Sequence, residues 1–204
     1  MTERLQLVRL GFYLSVFTVT WNVLEGLIAV LSSYFSGSVA LFGFGVDSFI
    51  ESTSGFIIGW RFYYEMRGRP QEQTEKVERL AARLAGILLL VLSIYLLIDS
   101  SRCLLGYGRE PGPSVMGIIL TVISLVIMPI LARTKLKTAK KLASKALHAD
   151  AYETIACAWL SATTLAGLLL NATFGWWWAD PVAALVLVPL IAREGVEGLR
   201  GEDD

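Results

Sequence analysis

The chain has 204 residues, 54% of them apolar and only 18% charged, with 18 basic and 18 acidic side chains that cancel. Soluble domains carry about a quarter charged residues, so this composition and a mean hydropathy of +0.57 point to lipid as the solvent. The zero net charge gives no basis for a nucleic-acid partner.

A membrane-spanning helix needs roughly 20 mostly apolar residues. Six such stretches are predicted, at Leu10–Ser33, Ser38–Trp60, Leu84–Leu105, Ser114–Ala132, Ala146–Leu170 and Trp176–Ala192. The expected fold class is an all-α integral membrane protein, a six-transmembrane-helix bundle forming one domain over residues 1–204. Polar Met1–Arg9 precedes span one. The apolar stretch that follows is too long for a signal-peptide core, so it is read as a retained helix. Within it, Asn22 and Glu25 are i, i+3, and Glu25 is deep enough to need a partner.

The turn Tyr34–Gly37 is uncharged and leads into span two. That span is rich in small residues, among them Gly43, Gly45, Ser48, Ser52, Gly55 and Gly59, which let helices approach closely. Arg61, Arg67, Arg69, Lys76 and Arg79 follow it, and Glu72, Glu75 and Glu78 make the connector a solvated, helix-compatible lead-in to span three. Asp99 and Arg102, i, i+3 near the outer end of span three, are expected to form a local ion pair. Cys103 lies there too, at a depth unlike that of Cys157, which argues against a disulfide.

Arg109 and Glu110 are the only charges before the rigid turn Pro111-Gly112-Pro113 that starts span four. Pro129 is expected to kink the inner end of that span, and Pro189 that of span six. Arg133, Lys135, Lys137, Lys140, Lys141 and Lys145 are read as a basic loop between spans four and five. The turn Asn171–Gly175 is again uncharged, and Asp180 before Pro181 is expected to cap span six beside the interfacial Trp176, Trp177 and Trp178. Basic loops stay in the cytoplasm, so both termini are expected to be cytoplasmic.

Ionisable groups inside a bilayer are costly and are functional candidates by default. Asp47 and Glu51 are i, i+4 near the middle of span two, and Glu153 and Cys157 repeat that spacing on span five. Four residues return to one helix face within about 40°. Two helices with two ligands each can build a four-coordinate metal site from Asp47, Glu51, Glu153 and Cys157. A thiolate disfavours magnesium and calcium, so zinc, cadmium or ferrous iron fit better. Repulsion and desolvation oppose full ionisation of these groups without a cation. Metal binding is therefore expected to displace protons, which couples the two movements.

Asp150, about 60° from Glu153 around the helix, could be a ligand on the approach, an acceptor behind the ligands, or a cap to the basic loop. His148, the single histidine, points about 140° away from Glu153 and is placed at the interface.

Three stretches resemble the cation diffusion facilitator (cation efflux) family of zinc-type transporters. Gly37–Ser52, GSVALFGFGVDSFIES, is similar to the family's second helix; Ala149–Cys157, ADAYETIAC, to its fifth; Trp178–Pro181, WADP, to the start of its sixth. Where the family's intramembrane site uses two Asp on helix two and His and Asp on helix five, the matching positions here are Asp47, Glu51, Glu153 and Cys157. The resemblance implies metal/proton exchange by alternating access, often as a homodimer. It also implies a short form that lacks the family's cytoplasmic C-terminal domain, so that a homodimer would join through membrane helices.

The function expected is a secondary active transporter in the cell (inner) membrane of a prokaryote, multi-pass in the lipid bilayer. It would export divalent transition-metal cations, zinc foremost, in exchange for protons. The metal is the transported substrate, and no cofactor is expected. The alternative is a metal-binding membrane interaction protein that does not transport. An enzyme is disfavoured: there is no nucleophile–base pair, and no H-E-x-x-H.

Overall fold

In the computed structural model, residues 2–67, 72–107 and 110–200 are described. Arg69 and Arg109 fall outside them, as do the side chains of Glu72, Glu75, Lys76, Glu78 and Arg79. Six helices follow one another: α1 (Thr2–Ser36), α2 (Val39–Met66), α3 (Glu72–Leu104), α4 (Val115–Leu142), α5 (Lys145–Phe174) and α6 (Ala179–Arg200).

Each predicted span lies within or close to one of them. The helices run past the apolar stretches mainly at one end of the bundle: α4 continues ten residues beyond Ala132, to Leu142, and α1 begins at Thr2 rather than Leu10. Hydropathy marks where hydrocarbon ends, whereas Lys, Arg and Glu remain good helix formers beyond it. Pro129 and Pro189 lie inside continuous helices.

Serine starts three of the helices. Ser38, Ser114 and Ser144 are extended N-caps whose hydroxyls accept the backbone N–H of Leu41, Gly117 and Leu147. Helix α4 stops where Ala143 turns left-handed (φ 51°), and Ser144 at once caps α5. A two-residue reversal thus replaces the predicted long basic loop. Helix α5 stops at Gly175, where a left-handed φ of 67° suits glycine.

Helices α1, α2, α4 and α5 form a four-helix group, and α3 and α6 pack together along its side. Helix α2 sits centrally, touching α1, α3, α5 and α6. Leu41, Phe44, Leu96, Met128, Leu160, Leu168, Leu187 and Ile191 fill the main core, while Val8, Ile58, Phe62, Ala139 and Leu147 form a smaller cluster toward the start of α1. The outward faces carry Leu24, Leu31, Leu88, Val91, Val126 and Ile130, all exposed. Apolar side chains on the outside and polar ones inside suit a lipid environment.

Among the described residues, four helices are long and apolar enough to cross a membrane, with candidate spans at Arg4–Ser36, Gly86–Leu104, Val115–Leu142 and Ala146–Phe174. The central α2 is not one of them; it carries buried Asp47 and Glu51.

Small residues bring α1 and α2 into close contact. A Cβ on Gly45 would come within 2.9 Å of Ala29 Cβ and 3.0 Å of the Val30 backbone nitrogen, and one on Gly26 within 2.9 Å of Gly45 O. Gly55 and Gly59 pack in the same way on Thr18 and Ser15. Gly45→Val is therefore expected to push α1 off α2 and cost about 1–3 kcal/mol. Gly112→Ala, whose methyl would meet only Ser36 O at 3.7 Å, should stay within about 0.5 kcal/mol of the parent. Thermal unfolding of both variants in detergent checks the contrast.

Candidate functional site

Asp47 and Glu51 lie one turn apart on α2, and both are buried, at 6% exposure each. Across from them on α5, Cys157 is 1% exposed and lies against Glu51. Glu153, one turn nearer the start of α5, is exposed and sits beside Ser54 of α2. The charges of Asp47, Glu51 and Glu153 are close enough to act on one another. The two i, i+4 pairs thus sit on adjoining parts of α2 and α5, helices in direct contact. In this arrangement, no three His, Cys, Asp or Glu side chains among the described residues are gathered tightly enough to hold a metal ion.

The largest difference from the sequence reading is Lys135. It is no loop residue: it lies inside α4 with 0% exposure. Its ammonium stands 2.7 Å from Asp150 Oδ2, with both side chains fully buried. It also donates a hydrogen bond to Thr154 Oγ1 at 2.9 Å. The Thr154 hydroxyl is in turn 2.8 Å from Glu51 Oε1 and 2.9 Å from the Asp150 carbonyl oxygen. Its single proton serves one acceptor at a time. The other carboxylate oxygen of Glu51, Oε2, is buried with no hydrogen-bond partner among the described residues. Asp150, for which the sequence left three roles, is here the ion-pair partner of Lys135. His148 is half-buried and lies against Tyr152, ring centres 5.0 Å apart and planes tilted by 57°.

Two further acids surround the pairs. Glu25 on α1 is fully buried and accepts a hydrogen bond from the Ser48 hydroxyl at 3.0 Å, while its other oxygen and the Asn22 amide have no hydrogen-bond partner among the described residues. Glu194 on α6 is half-buried and near enough to Asp47 and Glu51 for their charges to interact. It falls beyond the predicted end of span six.

Asp180 caps a helix, but not its own. Its carboxylate accepts from the Ser38 hydroxyl and from the backbone N–H groups of Val39 (2.8 Å) and Ala40 (3.4 Å), so it closes the N-terminus of α2. Nearby, the Asn171 amide donates to Pro111 O at 2.7 Å, and Gly112 N–H to Ser36 O at 2.7 Å. These bonds tie the outer turns together. Among the described residues Asp99 and Arg102 form no ion pair; the Tyr95 hydroxyl lies 3.5 Å from Asp99 Oδ2 instead. Arg102 is exposed, so solvent competes for it. Among the described residues neither cysteine is in a disulfide.

Removing one partner of a buried pair strands the other charge. Lys135→Met is expected to destabilise the bundle by about 3–5 kcal/mol, and adding Asp150→Asn to recover most of that loss. Thermal unfolding of the single and double variants would show it.

Comparison with known proteins adds an independent line. Residues 15–200 match the family described as "Cation efflux transmembrane domain". The chain is 26% identical over 186 residues to an uncharacterised transporter of Methanocaldococcus jannaschii, a match covering 87% of this chain and 63% of that protein. It is 30% identical over 136 residues to the manganese efflux system protein MneP of Bacillus subtilis, covering 63% and 45%. It is 25% identical over 180 residues to the cation-efflux pump FieF of Shewanella oneidensis, covering 83% and 58%. The chain therefore spans less than two thirds of the length of each of these relatives.

Proposed function

Because the chain belongs to the cation efflux family, we propose that it exports a divalent transition-metal cation across the membrane, with the ion held by Asp47, Glu51, Glu153 and Cys157. The observation that carries this reading is the pair of i, i+4 couples on adjoining helices, with Asp47, Glu51 and Cys157 buried inside the bundle. Acids kept in such a place at a cost are functional candidates by default.

The exposed Glu153 is the ligand an ion would meet first; Asp47, Glu51 and Cys157 would then complete its shell as α2 and α5 draw together. The hydrogen bonds at the outer turns, from the start of α2 to Asp180 and from Asn171 to Pro111, support a bundle closed at that end while the ion enters from the other. Reversing that order would release the ion outward, which is alternating access.

Metal preference follows from the donor set. Three carboxylates with one thiolate favour zinc, with cadmium or ferrous iron next. One relative is named for manganese efflux, and manganese favours an oxygen-only shell; the thiol at position 157 is the feature that would separate the two preferences. Protons are the natural counter-ions, because carboxylates and a thiol crowded in low dielectric cannot all stay ionised once the metal leaves.

Reconstituted into liposomes, the protein is expected to take up zinc or cadmium and to move protons the opposite way. Asp47→Ala and Glu153→Ala should each lose transport by more than the roughly 10–100-fold that removal of an outer partner costs a metal site. Normal rates in both variants would show that the ion passes elsewhere, and uptake with no opposing proton flux would rule out exchange.

A further inference from the structure

Lys135 is a full positive charge placed two hydrogen bonds away from a proposed metal ligand. Its ammonium, with no exposure to solvent, bridges Asp150 Oδ2 at 2.7 Å and Thr154 Oγ1 at 2.9 Å. Thr154 continues the line to Glu51 Oε1 at 2.8 Å. Three helices, α4, α5 and α2, are joined in this way.

The consequence for Glu51 is specific. A hydroxyl that accepts from an ammonium has its proton turned outward, and here the Glu51 carboxylate is in reach of that proton. One oxygen of Glu51 is thereby engaged. The other, Oε2, is buried and has no hydrogen-bond partner among the described residues, with Cys157 lying against the same side chain. A carboxylate with one lone-pair set tied and the other free is prepared to bind a cation through a single oxygen. Bonds of this kind behind a ligand fix its orientation and tune the ion it accepts.

Charge matters as well as direction. Asp150 alone would add a fourth carboxylate close to Glu51 and Glu153. Lys135 cancels it, so Asp150 adds no net charge beside the proposed ligands.

We propose that Lys135 is the resident counter-cation of this metal site and a positioning residue: it neutralises Asp150 and, through Thr154, orients Glu51 to offer one oxygen to the ion. This deepens the transport reading and rests on it.

The test is metal affinity of the full purified chain in detergent, measured calorimetrically with zinc and with cadmium alone. Thr154→Val keeps size and both charges but removes the hydroxyl that links Lys135 to Glu51. It should weaken binding by about 10–100-fold in protein that stays folded with a somewhat lowered melting temperature in the absence of metal, and Thr154→Ser should restore both. The pair variant Lys135→Met/Asp150→Asn removes the cation without stranding its partner. On that background Thr154→Val should add little, because the two changes break one chain of bonds.

Asp47→Ala, measured alongside, separates the two levels. If Asp47→Ala loses binding while Thr154→Val keeps parental affinity, or if the Thr154 and Lys135/Asp150 losses simply multiply, the role of Lys135 is overturned and the metal site stands. If Asp47→Ala binds metal as the parent does, the metal-site reading falls and that of Lys135 with it.

Discussion

A charge held in an apolar bundle must be answered by an opposite charge or by hydrogen bonds, since neither lipid nor packed side chains can solvate it. In this protein the requirement is met unevenly. Asp150 is answered by Lys135, and Asp180 by the Ser38 hydroxyl and the start of α2. Glu25 is answered on one oxygen by Ser48. Glu51 is answered on one oxygen by Thr154 and left open on the other. Where protein groups stop short, the proposed cation would be the partner of matching chemistry.

The fold supplies the geometry that this needs. Glycines on α2 bring α1 within backbone distance, which frees the opposite side of α2 for α5. Tight packing of small residues replaces the hydrophobic drive that is lost in lipid. The carboxyl of Asp180 ties α6 to the first turn of α2 at the outer end, while at the other end α4 turns straight into α5 through Ala143 and Ser144. That short reversal holds α4 and α5 antiparallel, so Lys135 of one faces Asp150 and Thr154 of the other.

Much of this was legible in the sequence. Apolar runs located all six helices, and the i, i+4 spacing of Asp47 and Glu51 and of Glu153 and Cys157 put the pairs on adjoining parts of α2 and α5. What was not legible lay at the helix ends. Lys135 read as loop because the hydropathy of span four ends at Ala132, yet the helix continues and Met128, Leu131, Ala132 and Ala139 keep one buried face. Lys135 falls on that stripe at i+7 from Met128, the signal that would have found it. Glu194 falls in the same way on the stripe of Leu187 and Ile191. Asp180 sits where a helix cap belongs, but local sequence cannot tell that the N–H groups of another helix are nearer. The Asp99–Arg102 pair was expected from spacing alone, and exposure of Arg102 removes the reason for it.

The central claim is that one divalent ion is held between α2 and α5 by three carboxylates and the thiol of Cys157. X-ray absorption at the cadmium edge, on purified protein loaded with one equivalent of cadmium, reads the donor atoms directly. The expected spectrum has a mixed oxygen and sulfur shell that becomes all-oxygen in Cys157→Ser. An oxygen-only shell in the parent protein, or a sulfur donor that survives the Cys157→Ser change, would contradict it.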